Sequence, residues 1–75
     1  MYLFLPIKES LYYPYIEEYK SFGIAVYEYS RYRVEKRGYI SDVSVKFDFV
    51  NNLCIRYTVR QLRPEHLLDV VIDSI

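Results

Sequence analysis

Between Ile24 and Phe47 the chain carries the two-residue period of a β-strand, and this run limits the fold more than any other feature. Ile24 to Glu35 reads as one long strand, with Ile24, Val26, Tyr32 and Val34 on one face and Ala25, Tyr27, Tyr29, Arg31 and Arg33 on the other. β-Branched and aromatic residues dominate it, as a pleated surface favours. Lys36-Arg37-Gly38 reads as a turn, with Gly38 free to take positive φ. Tyr39, Ser41, Val43, Val45 and Phe47 then alternate with Ile40, Asp42, Ser44 and Lys46. A short polar turn between two such runs predicts antiparallel pairing.

Upstream, Leu11, Tyr13, Tyr15 and Tyr19 alternate with Ser10, Tyr12 and Glu18, and Pro14 places this piece at a sheet edge because it has no N–H to donate. Ser21-Phe22-Gly23 offers a break before the long strand. The apolar opening Met1–Ile7 lacks a basic start and is too short to span a membrane, so residues 1–10 read as an edge strand or a loose arm.

Residues 48–62 support two patterns. Val50, Leu53, Cys54 and Tyr57 fall at helical spacing, whereas Leu53, Ile55, Tyr57 and Val59 alternate with Cys54, Arg56, Thr58 and Arg60. The alternation, with Asn51-Asn52 as a turn, favours a strand on pattern alone. The end of the chain is helical. Pro64 suits a first helical position, Glu65 suits the positive end of the dipole, and Leu67, Leu68, Val71, Ile72 and Ile75 form an apolar stripe opposite Glu65, Asp69 and Asp73. Three turns are too short to stand alone, so this helix must dock on the sheet.

The run Ile40-Ser41-Asp42-Val43-Ser44, followed by Val50, Leu53, Leu62, Pro64, His66, Asp69, Val70, Val71 and Asp73, resembles a family of short uncharacterised proteins of low-GC Gram-positive bacteria, a domain of unknown function. Phe22-Gly23-Ile24 is similar to that family's aromatic-Gly-Ile step, and the likeness spans roughly residues 19–75. It implies a helix over residues 47–61 and brings no activity with it. Arg63 stands where the family pattern has a serine, which removes an N-cap hydrogen bond worth about 1 kcal/mol. Ile72 replaces an acidic position.

The expected fold is therefore one α+β domain. A three-stranded antiparallel meander (near 11–19, 22–35 and 39–46) precedes two helices (near 47–61 and 64–75) packed on one face.

Seventy-five residues make a small core, and the chain holds ten tyrosines, four phenylalanines and one cysteine. A lone cysteine forms no disulfide within the chain, and one Cys with one His falls short of a structural zinc site. Fourteen rings of roughly 150–250 Å² each exceed what such a core hides, so a partner subunit is expected to cover some of them. Tyr27, Tyr29, Arg31 and Arg33 are the expected interface of a homodimer or of another protein partner, since Tyr and Arg concentrate at interface hot spots.

The same stretch, residues 27–39, interleaves rings with cations as single-stranded nucleic-acid surfaces do. Nucleic acid is the alternative partner, weakened by Glu28, Glu35 and a net charge of zero. His66 with Asp69 and Asp73 on one helix face reads as a solvated polar edge rather than a metal site or acid–base pair. Cys54, among Val50, Leu53 and Tyr57, reads as a small core residue. With Gly23 and Gly38 its only glycines, the chain has no phosphate-cradling loop, and no catalytic residue or cofactor is expected. The expected setting is cytoplasmic, without membrane association.

Overall fold

In a computed structural model, which describes residues 1–13 and 16–74, three antiparallel strands precede two helical segments. The strands β1 (Tyr2–Tyr13), β2 (Ile16–Tyr29) and β3 (Val34–Ser44) form one sheet in the order β1-β2-β3. Helix α1 (Phe47–Val59) follows. A 3₁₀ turn (Pro64–His66) then leads into α2 (Leu67–Ser74). This is the expected α+β architecture, with both helices on one sheet face.

The strand limits differ from those expected. The stretch 11–19 is not one strand, because β1 ends at Tyr13 and β2 begins at Ile16. Leu11 and Tyr19 lie directly opposite each other, so one alternation runs through both arms of the hairpin and hides the reversal. Pro14 and Tyr15 fall outside the described residues, and so does Ile75 of the expected apolar stripe. Residues 2–10 lie in β1, an edge strand of the sheet.

The long strand 24–35 is likewise broken. Ser30 and Arg33 exchange backbone hydrogen bonds (2.9 and 3.4 Å), which leaves Arg31-Tyr32 as a two-residue hairpin tip. Lys36-Arg37-Gly38 is not a turn but part of β3, with Gly38 opposite Val26. A Cβ at position 38 would stand 3.2 Å from Val26 Cγ1 and 3.8 Å from Leu67 Cδ2, so this glycine makes room for packing. Gly23, expected at a break, lies within β2 opposite Ile7.

The core lies between the sheet's inner face and the helices. Phe4, Ile24 and Val26 meet Val50, Leu53, Cys54 and Tyr57 of α1, and Leu67 and Val71 of α2 close the far end. Phe4 and Tyr57 pack edge to face, with ring centroids 5.6 Å apart. The helical spacing in residues 47–59 therefore prevails over the alternation. Val50, Leu53, Cys54 and Tyr57 are all buried, while Ile55 and Val59, which a strand would have shared with Leu53 and Tyr57, are 54% and 78% exposed.

Helix α1 ends in a Schellman motif: Leu62 N–H donates to the Tyr57 carbonyl and Gln61 N–H to the Thr58 carbonyl, both at 3.1 Å. The left-handed position, usually glycine, is Gln61 (φ 49°). Arg63, before the Pro64 turn, makes no side-chain cap, as its sequence implied. The first turn of the expected final helix is 3₁₀, and the stripe divides: Leu67 and Val71 are buried, Leu68 and Ile72 exposed. Among the described residues, no helix is long and apolar enough to cross a membrane.

Candidate functional site: the helix-free sheet face

Antiparallel sheets with one covered face usually carry polar residues on the other. This sheet does so over only part of its length. Cross-strand partners share a face, so the register maps the uncovered side directly. Leu3, Tyr27 and Lys36 form one row, Leu5, Ala25 and Tyr39 the next, followed by the pairs Ile7–Gly23, Glu9–Ser21 and Leu11–Tyr19. The rows from Leu3 to Ile7 make an apolar and aromatic patch. Leu3, Leu5, Ile7 and Tyr27 are each partly exposed, whereas Ala25 is fully covered by its larger neighbours. The Lys36 ammonium lies 4.5 Å from the centre of the Tyr39 ring, a cation–π contact along the patch's border.

Beyond the patch the face becomes a hydroxyl–carboxylate network. Glu9 of β1 reaches across β2 to β3, where its carboxylate accepts from Tyr39 O–H, from Ser41 Oγ at 2.8 Å and from the Asp42 backbone N–H at 2.9 Å. Gly23 permits this crossing, since a Cβ there would stand 2.8 Å from Glu9 Oε1 and 2.4 Å from the Ile40 carbonyl oxygen. Asp42, held at φ 53° where β3 bulges between its pairings with Phe22 and Ile24, accepts from Tyr19 O–H and Ser21 Oγ, both at 2.6 Å.

Burial acts to raise the Glu9 pKa, but the three donated hydrogen bonds outweigh it and hold the carboxyl below its ordinary value. The hydroxyls of Ser21 and Tyr19 do the same for Asp42. Tyr39 shifts the other way, pushed up to about 12 by burial and by its bond to Glu9. The network thus holds two carboxylates ionised and one phenol neutral across the whole neutral range. Every carboxylate oxygen named is already hydrogen-bonded, which makes the network a brace between strands.

The expected interface residues are only partly brought together. Tyr27 and Tyr29 belong to the helix-free face, Tyr29 at its rim. Arg31 and Arg33 do not extend that face. Arg31 sits at the hairpin tip with its guanidinium 5.5 Å from the Tyr32 ring centre, and Arg33 pairs with Glu35 at 3.3 Å. The reason is the hairpin reversal at Arg31-Tyr32, which removes both arginines from the regular pleat. The residues that sequence reasoning passed over are Leu3, Leu5 and Ile7. Their alternation with Phe4 and Pro6 was the available signal.

The rings and cations of 27–39 are also divided. Tyr32 stands at the tip, 85% exposed, while Arg37 turns to the helix side and pairs with Glu28 (2.7 Å) and Glu35 (2.9 Å). His66, Asp69 and Asp73 are all exposed, and no group of three metal-ligating side chains occurs among the described residues. Cys54 is buried, and burial pushes its thiol up to about 12, far from the thiolate a nucleophile needs. Comparison with protein-family models, with curated proteins and with solved structures finds no match to this chain.

Proposed function

We propose that this protein is a non-catalytic interaction module that self-associates through the helix-free face of its sheet. One observation carries the reading: Leu3, Leu5 and Ile7 of β1 lie beside Ala25, Tyr27 and Tyr39 on a face that no helix among the described residues covers. Apolar surface grouped in this way marks an interaction site.

The size of the face sets the strength. Three strands about 4.8 Å apart and some ten residues long present roughly 500 Å² per subunit. A contact of about 1,000 Å² in total belongs with weak, reversible associations. Family resemblance adds no activity to this reading, and a cytoplasmic setting remains part of the proposal.

Sedimentation of the full chain from micromolar to millimolar concentration tests it. The expected result is a reversible association that Leu5→Lys weakens without altering the far-ultraviolet spectrum. A clean monomer throughout, or a dimer indifferent to charge at position 5, overturns it.

The alternative, binding of single-stranded nucleic acid by residues 27–39, is weakened by the ion pairs that occupy Arg33 and Arg37. It requires affinity for a fluorescent oligonucleotide that falls steeply with added salt.

A further inference from the structure

The outer edge of β1 is guarded along half its length and open along the rest. Met1 and Tyr29 exchange backbone hydrogen bonds (2.7 and 3.2 Å), and the pairing continues without a register shift from Tyr2 to Leu11. Odd-numbered residues of β1 therefore direct their peptide groups at β2, and even-numbered residues direct theirs outward. The first outward groups are served by the end of α1: Thr58 Oγ1 accepts from Phe4 N–H at 2.9 Å, and the Gln61 side chain bonds Tyr2. Pro6 has no N–H. Beyond it, the outward N–H groups of Lys8, Ser10 and Tyr12 find no partner among the described residues, the last lying on the peptide that the Leu11 pairing orients, and all three side chains are exposed, Tyr12 by 81%.

An unpaired strand edge is a template for another strand. We propose that Lys8–Tyr12 pairs antiparallel with the same segment of a second copy, about a two-fold axis at Ser10. The segment is complementary to itself in that register alone. Centring on Lys8 or Glu9 would set like charges directly opposite, which destabilises a strand pair. Centring on Leu11 or Tyr12 would carry the pairing further past Leu11, where the regular register of β1 ends. Centring on Ser10 sets Lys8 opposite Tyr12, ammonium to ring, and small Ser10 opposite itself. The contact uses a strand edge and is independent of the association proposed for the sheet face.

Amide hydrogen exchange of the full chain, followed residue by residue by NMR from micromolar to millimolar concentration, tests the proposal. The N–H groups of Lys8, Ser10 and Tyr12 are expected to slow by about tenfold or more as concentration rises, while Ile7, Glu9 and Leu11 stay protected throughout. Ser10→Pro removes an outward N–H that the subunit does not use, in the setting Pro6 already occupies, and is expected to abolish the concentration dependence. Leu5→Lys, aimed at the sheet face, is expected to leave it intact. Solvent-like exchange of all three outward amides at the highest concentration overturns edge pairing even where sedimentation reports a dimer. Unchanged protection of Lys8 and Tyr12 in folded Ser10→Pro also overturns it. Should that variant not fold, the exchange pattern of the unmodified chain decides.

Discussion

The side chain of Gln61 clamps the backbone of Tyr2 from both sides: its Oε1 accepts from Tyr2 N–H at 2.8 Å and its Nε2 donates to the Tyr2 carbonyl at 2.9 Å. One amide thus imitates the neighbouring strand that the edge of β1 lacks. The same residue holds a left-handed conformation at the end of α1, where a non-glycine residue carries a strain on the order of 1 kcal/mol.

Two substitutions separate these effects. Gln61→Ala keeps the strain and loses the clamp, and is expected to destabilise the chain by about 1–3 kcal/mol. Gln61→Gly loses the clamp but relieves the strain, and is expected to fall between the wild type and Gln61→Ala. Urea unfolding of the three proteins checks the order.

Gly23→Ala places a methyl group against the Ile40 carbonyl and the Glu9 carboxylate. Backbone on one side and a braced side chain on the other leave little room to yield, so a loss of about 1–3 kcal/mol is expected. Gly38→Ala meets only the side chains of Val26 and Leu67, and is expected to cost less. Thermal unfolding of both variants reads the difference.

Stability should depend on pH at both ends of the scale. Glu9 and Asp42 have folded pKa values below their ordinary ones, so their contribution is present above the unfolded carboxylate values and lost as pH falls through the folded ones. Tyr39 is raised from 10.0 to about 12, so its contribution is present below pH 10.0 and lost as pH rises toward 12. Urea midpoints measured against pH should show an acid limb that Glu9→Gln shallows and an alkaline limb that Tyr39→Phe removes.

Cys54 is 1% exposed and its thiol is pushed up to about 12. Its reaction with a disulfide reagent at neutral pH is expected to be far slower than that of a free thiol, and to accelerate with urea as the core opens. Rapid labelling of the folded chain would contradict the burial of this residue between α1 and the sheet.

The fold class was legible because two periods occur in sequence order, alternation first and helical spacing after it. The strand limits were not, and the two glycines show why. Gly23 and Gly38 look like turn residues in a sequence, yet one clears a path for Glu9 and the other clears space beneath Val26 and Leu67. Neither neighbour is close in sequence. The real reversal, Arg31-Tyr32, contains no glycine or proline and adopts no positive φ, so it carries no turn signal at all. Alternation in residues 53–59 misled for a related reason. Ile55 and Val59 are apolar without being buried, and only the position of the sheet shows which face of α1 it meets. Of the expected interface, the tyrosines were legible from the pleat, but Arg31 and Arg33 were assigned to a strand that had already turned.

Thr58 and Gln61 touch Phe4 and Tyr2 across more than fifty intervening residues. The three strands connect to one another through short links and can pair as the nascent chain emerges, but the first strand keeps its outer rim bare until residue 61 has been made. During synthesis, then, the segment most able to recruit a foreign strand is made more than fifty residues before the side chains that shield its first half.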